Sequence, residues 1–289
     1  MVKLKDFDHL HVHPGQNVKL KRFATDTTRH VPPRDKADKL TQKAVEQLGT
    51  YQDALYAEGR RSLLVILQGM DASGKDGAVR KVFDEVNPTG VQVVSFKQPS
   101  QEELRHDFLW RCHAKVPPRG FIGVFNRSYY EDVLVVRVHA AQLLPPELRH
   151  SKAEWERRYR MINDFESVLV DGGTHVIKFF LHIDKKEQLA RFKQRLDDPA
   201  KQWKISEFDY KEREFWDDYQ KAYEDAISRC STDYAPWYVI PSNRKWFRNL
   251  VISRVLVKVL ESMDMQFPQP TVNIEEIRRQ YHAAREEGR

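Results

Sequence analysis

The stretch Leu63–Val79, "LLVILQGMDASGKDGAV", decides the fold. An apolar run suited to a buried strand leads into Gly69-x4-Gly74-Lys75, and a helix-forming run follows. A glycine-rich turn between strand and helix is the context in which this spacing cradles phosphate. The glycines let the backbone curl so that its N–H groups point inward. The helix opening near Asp76 adds the positive end of its dipole. Lys75 brings a full positive charge, so Gly69, Ala72, Ser73, Gly74, Lys75, Asp76 and Gly77 are expected around a phosphate chain. The plainer alternative, a tight turn with an incidental lysine, is disfavoured by the strand before it and the helix after it.

Asp76 stands where such loops usually carry the Ser or Thr whose hydroxyl meets a magnesium ion. Asp71 lies inside the loop, where a carboxylate repels phosphate unless a cation intervenes. Mg²⁺ takes one or two carboxylates together with phosphate oxygens and water. Asp71 is therefore the expected metal ligand, and Asp76 is expected to open the helix.

Outward from this loop, short apolar runs alternate with helical stretches: "VQVVSF", "FIGVF", "HVIKFFLHI" and "WYVI". The pattern predicts an α/β fold, a parallel sheet flanked by helices on both faces. Ala37, Leu40, Ala44, Leu48, Tyr51 and Leu55 recur three or four apart and predict a helix before the first strand. With no repeat or low-complexity linker, residues 1–289 read as one domain, of which 1–34 form an arm lying on it. His9, His11 and His13 alternate in that arm; they are expected to be solvated rather than to hold a metal. Lys178 falls within an apolar strand, where a buried lysine needs a partner. The Ala190–Tyr219 stretch reads as two charged helices around a Pro-containing break, a projecting hairpin.

The chain has 289 residues, 48 basic against 42 acidic, a formal charge of +6, and only two cysteines, Cys112 and Cys230. That count excludes a disulfide framework and a cysteine metal site and fits a reducing, cytoplasmic setting. No apolar run approaches membrane-spanning length, about 20 residues. The basic excess favours an anionic partner.

A second constellation lies in "GFIGVFNRSYYEDVLVVRVH", Gly120–His139, read as a strand and then a helix. Ligands of open α/β sheets bind at the carboxyl ends of strands. Asn126, Arg127 and Ser128 occupy such an end. Arg127 has the fork to bridge phosphates, or it forms a structural ion pair. Glu131 either completes a metal site with Asp71 or satisfies the helix dipole.

Taken together, "GMDASGKDGAVRKVF", "NPTGVQVVSFKQPSQEEL", "FLWRCHAKVPPRGFIGVFNRSYYEDVLV", "GTHVIKFFLHIDKKEQLARFKQRLDDPAKQWKIS" and "APWYVIPSNRKWFRNLVIS" resemble the polyphosphate kinase 2 family from about Asp35 to Met263. The resemblance implies a P-loop kinase-like, thymidylate-kinase-like fold with a helical lid at about 189–209. It also implies Mg²⁺- or Mn²⁺-dependent, reversible phosphoryl transfer between inorganic polyphosphate and nucleotides. "FNRSYYED" stands where many diphosphate-specific members have "FDRSWYNR", so Asn126 and Glu131 resemble the class that uses both AMP and ADP. Lys75, Arg127, Asp71 and Glu131 are then the catalytic set, with Asp71 and Glu131 on the metal. Asn126, Arg127 and Arg137 are expected to contact nucleotide. Arg80 and Lys81 are expected to line the donor channel, and Arg191, Arg195, Lys201 and Lys204 to close over the phosphates from the lid. A homo-oligomer with no specific nucleic-acid partner and no membrane association is expected. An ATP-dependent nucleoside monophosphate kinase is the competing expectation; Asp76 argues against it.

Overall fold

The computed structural model describes residues 4–149 and 151–287. Six strands form one sheet: β1 (His11–Val12), β2 (Ser62–Gln68), β3 (Val91–Ser95), β4 (Ile122–Asn126), β5 (Thr174–His182) and β6 (Trp237–Pro241), in the order β1-β6-β5-β2-β4-β3. β2 to β6 run parallel to one another. β2 and β4 are buried throughout, which is why their sequences run apolar without alternation.

Eleven α-helices occur among the described residues. In chain order they are α1 (Arg34–Glu58), α2 (Lys75–Val82), α3 (Trp110–His113), α4 (Glu131–Val138), α5 (Ala140–Leu143) and α6 (Lys152–Asp171), then α7 (Lys185–Asp197), α8 (Glu207–Glu212), α9 (Trp216–Cys230), α10 (Lys245–Ser262) and α11 (Ile274–Glu287). Alternate residues of the central strands feed two cores. Leu63, Val65 and Leu67 pack with α1, α2 and α10; Leu64 and Ile66 pack with α4, α6 and α9. The helices thus cover both faces, as βαβ crossovers require.

Two features differ from the sequence expectation. The sheet is mixed, because the arm adds β1 antiparallel to the edge of β6. Phe7, Leu10, Val12, Val18 and Leu20 are buried, so the arm is part of the core. His11 is half-buried and stacks on Tyr238, whereas His9 and His13 are exposed. No group of three potential metal-binding side chains occurs among the described residues. Second, the Ala190–Tyr219 stretch is not two helices about a single break but α7, two 3₁₀ turns, α8 and the start of α9. Gln188, Arg191 and Phe192 of α7 are buried, a Pro199–Lys204 3₁₀ turn follows, and Trp216 is buried at the start of α9 while Trp203 is 77% exposed. No helix is long and apolar enough to cross a membrane among the described residues.

The arm is tied down by polar contacts. Val18 N–H donates to Ser228 Oγ at 2.9 Å, Leu20 N–H to Glu224 at 2.8 Å, and Ser231 Oγ to the Val12 carbonyl at 2.6 Å. Thr25 Oγ1 and Asn243 Nδ2 both donate to Asp184, whose carboxylate caps α7 through Glu187 N–H at 2.7 Å. His182 is buried at the end of β5. Burial lowers its pKa to about 4, against the opposing pull of hydrogen bonds to the Leu20 and Phe23 backbone and of Asp184.

A histidine whose folded pKa lies below its unfolded value takes up protons preferentially when unfolded, so it weakens the fold as pH falls from about 6.5 towards 4. Between pH 7 and pH 5 this residue should remove about 2 kcal/mol of stability. Urea unfolding of wild type and His182→Gln at both pH values checks this: the variant should lose that part of the acid sensitivity.

Candidate active site

The loop after β2 is built on backbone conformations that few side chains tolerate. Gly69 has φ 152°, Ala72 60° and Gly74 99°. A Cβ on Gly74 would lie 2.1 Å from Arg248 Nη1, and one on Gly69 would lie 2.7 Å from Ser73 Oγ. Both glycines are therefore required by close approach as well as by φ. The N–H groups that open α2 have no partner within the helix and supply the anion-facing donors.

The loop's carbonyls are all drawn to other donors. Lys75 Nζ donates to Gly69 O at 2.8 Å and Met70 O at 3.4 Å. Gln188 Nε2 holds Asp71 O at 3.0 Å. Arg191 Nη1 holds Ala72 O and Ser73 O, both at 2.8 Å, and its Nη2 reaches Ser242 O and Asn243 O. Arg248 Nη1 holds Gly74 O at 3.0 Å. These bonds, with Ser73 N–H donating to Met70 O at 3.0 Å, fix the orientation of each peptide unit in the loop.

β4 lies beside β2 with Asn126 opposite Leu67, which brings the second constellation to the loop. Arg127, at φ 66°, donates through Nη2 to Asp71 Oδ1 at 2.7 Å, and its Nη1 stands 3.6 Å from Glu131 Oε2. Asp71 and Glu131 therefore converge on one guanidinium. They line the same small cavity of about 40 Å³, with Gly69, Gln188, Glu212, Tyr219 and Tyr223 on its other walls. Two carboxylates facing one point fit a Mg²⁺ ion, which draws its remaining ligands from phosphate and water.

Charge in this cluster is strongly perturbed. Burial, then the nearby Arg127 charge, lowers the Lys75 pKa to about 8; Asp71, Glu131 and Asp76 resist the fall. Burial works to lower the Arg127 pKa, but Glu131 and Asp71 raise it well above its ordinary value. Burial acts to raise the Asp76 pKa and is outweighed by the hydrogen bond from Asn126 and the charges of Lys204 and Lys75. Asp76 thus sits in the first turn of α2, as expected, but it also accepts from Asn126 Nδ2 at 2.7 Å. That bond links the phosphate loop to the end of β4.

Several residues stand elsewhere than the sequence suggested. Arg191 is buried, its Nη atoms spent on backbone carbonyls of the loop and of Ser242 and Asn243 and its Nε on Glu187. Arg137, six positions beyond Glu131, binds Asp225 and Tyr159 OH, each at 2.6 Å. It lines a separate, more open cavity of about 440 Å³. Asn126 meets Asp76 rather than facing the cavity. Arg195 pairs with Asp209 and Lys201 with Asp198. Besides Arg191, Lys204 is the one expected lid cation that comes near the loop, its Nζ 3.4 Å from Asp76 Oδ2 in the first turn of α2. Arg80 is exposed in the last turn of α2, and Lys81 beside it pairs with Asp84.

Gln188 and Arg248 carry no motif and were not singled out in the sequence. Each acts on a loop carbonyl more than a hundred residues away in the chain. The one available signal was an arginine in the first turn of a strongly apolar helix, "KWFRNLVIS".

Fold and site together define a P-loop phosphotransferase. The polyphosphate kinase 2 family model matches residues 33–268, and the chain belongs to that family. It is 50% identical over 268 residues, 92% of this chain and 97% of the relative, to the AMP/ADP-polyphosphate phosphotransferase of Meiothermus ruber. It is 43% identical over 274 residues, 93% and 94% of the two chains, to the ADP-polyphosphate phosphotransferase of Rhodopseudomonas palustris. The crystal structure of polyphosphate kinase 2 from Arthrobacter aurescens TC1 superimposes with a TM-score of 0.89 at 39% identity, covering 96% of each chain.

Two outcomes follow from this geometry. Lys75 is charged below its pKa, so tripolyphosphate affinity should be flat below pH 8 and weaken by up to about tenfold per pH unit above it. Calorimetry across pH 7–9.5 checks this, and Lys75→Met should show no such slope. Arg248→Met should lower kcat/KM on the order of 10²-fold by loosening the loop, with the melting temperature close to wild type because a buried charge is lost along with its contacts.

Proposed function

We propose that this enzyme transfers phosphoryl groups from inorganic polyphosphate to AMP and ADP, forming ADP and ATP, in a direct, reversible, in-line step that uses Mg²⁺ or Mn²⁺. The observation that carries this reading is the meeting of Asp71 and Glu131 on Arg127 beside Lys75. It is supported by relatives whose names specify AMP/ADP and ADP as partners of polyphosphate.

Little is asked of the protein by way of proton transfer. The acceptor is a phosphate with a second pKa near 6, already ionised at neutral pH. What remains is alignment and charge neutralisation. Lys75 and the N–H groups of the loop hold the donor phosphates. Arg127 spans donor and acceptor with its planar fork. Asp71 and Glu131 would hold the divalent ion, which supplies charge neutralisation at the transferred group. Lys204, through Asp76, sets the 3₁₀ turn after α7 over the loop. That cover restricts water and so limits hydrolysis.

Donor identity separates this reading from an ATP-dependent monophosphate kinase. With AMP as acceptor, ADP should form rapidly from polyphosphate and at a small fraction of that rate from ATP; the reverse order would establish the kinase instead. Within the polyphosphate reading, Glu131→Asn should depress the AMP step more than the ADP step, since AMP offers fewer phosphate oxygens to hold it in line. Initial rates with each acceptor decide it, and a parallel fall would remove Glu131 as the selector.

A further inference from the structure

The turn that carries Arg127 and Glu131 is anchored from behind. Between those two residues, Tyr129 and Tyr130 point into the protein and are buried. Both hydroxyls donate to one oxygen, Oε1 of Glu166 on α6, at 2.8 and 2.9 Å. The other oxygen of Glu166 accepts from Lys178 Nζ on β5 at 2.5 Å. Lys178 spends its remaining donors on the Cys230 carbonyl at 2.6 Å and Tyr130 OH at 3.1 Å. Glu166 and Lys178 are both wholly inaccessible to solvent. Burial pushes the Glu166 pKa up and that of Lys178 down, each opposed by the charge of the other.

Stability alone does not account for this arrangement. A buried ion pair gains little over an apolar pair of the same volume, because desolvation offsets the attraction. The turn itself has something to be held: Arg127 adopts φ 66° without being glycine, a conformation that persists only where surrounding structure fixes it. Ser128 adds a lighter tether, its Oγ accepting from Gln68 Nε2 and from Tyr130 N–H, each at 3.2 Å. Two tyrosine hydroxyls converging on one carboxylate oxygen fix how residues 127–131 are rolled about the chain axis. Glu131 follows Tyr130 directly, and Arg127 precedes Tyr129 by two.

We propose that Glu166 and Lys178 are positioning residues: they hold Tyr129 and Tyr130, and thereby set where the Arg127 guanidinium and the Glu131 carboxylate meet Asp71. The catalytic consequence rests on the function proposed above; the structural part does not. Lys178 neutralises Glu166 so that a carboxylate can serve as a double acceptor in a dry core. Loss of the acceptor frees the turn, and the phosphate clamp loses its alignment while the fold remains.

Two double variants separate positioning from core filling. Both remove the buried charges: Glu166→Gln with Lys178→Met keeps an oxygen for the tyrosine hydroxyls, and Glu166→Leu with Lys178→Met does not. Each is compared with wild type by thermal unfolding, by hydrogen exchange of the 127–131 amides, and by polyphosphate-dependent kinetics. The Gln variant should retain near-wild-type exchange and kcat. The Leu variant should exchange about tenfold faster in the turn and lose on the order of 10²-fold in kcat, with a smaller change in the polyphosphate KM and a higher Mg²⁺ requirement. Tyr129→Phe with Tyr130→Phe, which keeps both rings, should reproduce the exchange and kcat changes in folded protein if the Leu variant does not fold. Equal exchange and equal kcat in the two double variants would overturn the proposal, as would wild-type behaviour of the Phe pair. Absence of polyphosphate activity in wild type, with the exchange difference intact, would instead overturn the proposed function.

Discussion

A neutral backbone binds phosphate only if its dipoles are turned the right way, and here the turning is enforced from the carbonyl side. Gly69 O and Met70 O are taken by Lys75, Asp71 O by Gln188, Ala72 O and Ser73 O by Arg191, and Gly74 O by Arg248. The donors come from α2, α7 and α10, so the shape of six residues depends on three separate helices keeping their places. α10 is held by the core it shares with α1, and α7 by its cap at Asp184 and the arm bonded to it. Two guanidiniums lie buried beneath the loop. Their desolvation is offset by four or more hydrogen bonds on Arg191 and by the Gly74 and Asn249 bonds on Arg248. Their charge also adds to the positive field above the loop.

The metal and phosphate groups inherit this order through adjacency. β2 and β4 are neighbours in register, and Arg127 N–H, one residue past β4, donates to the Leu67 carbonyl at 3.0 Å. Asp76 and Asn126 make that junction explicit, an amide and a carboxylate joining the two segments. A carboxylate in place of the usual Ser or Thr thus has a structural partner across the strands as well as a place in the helix dipole.

How much of this the sequence revealed follows from the range of each interaction. The parallel strands were legible as contiguous apolar runs, which burial on both faces imposes on β2 and β4. Gly69 to Lys75 and Asn126 to Glu131 were legible because their chemistry is carried by local spacing. β1 was not: two residues paired at an edge have no pattern of their own, and His11–Val12 is a strand only because β6 is there. The resemblance implied that Arg191 closes over the phosphates from the lid, but spacing does not say which way a side chain faces. Arg191 points under the loop, toward carbonyls that local sequence cannot place. Arg137 stands apart from the loop, paired with Asp225 on α9, a placement that local sequence does not reveal. Lys178 announced the need for a partner, but Glu166 was one of many acidic residues until α6 was set against β5.

The docking of the arm has a consequence for how the protein is made. Residues 12–25 leave the ribosome well before their partners Ser228, Glu224, Ser231, Trp237 and Asn243. Until those partners emerge, the apolar side chains of Val12, Val18 and Leu20 lack the surfaces they pack on in the folded protein. Long-range closure of this kind is slow and leaves sticky surface exposed meanwhile. Because Thr25 and Asn243 share Asp184 at the start of α7, the loop's support at Gln188 and Arg191 is completed only when that late closure occurs. The nascent chain thus carries its phosphate-binding loop long before it carries the scaffold that gives the loop its shape.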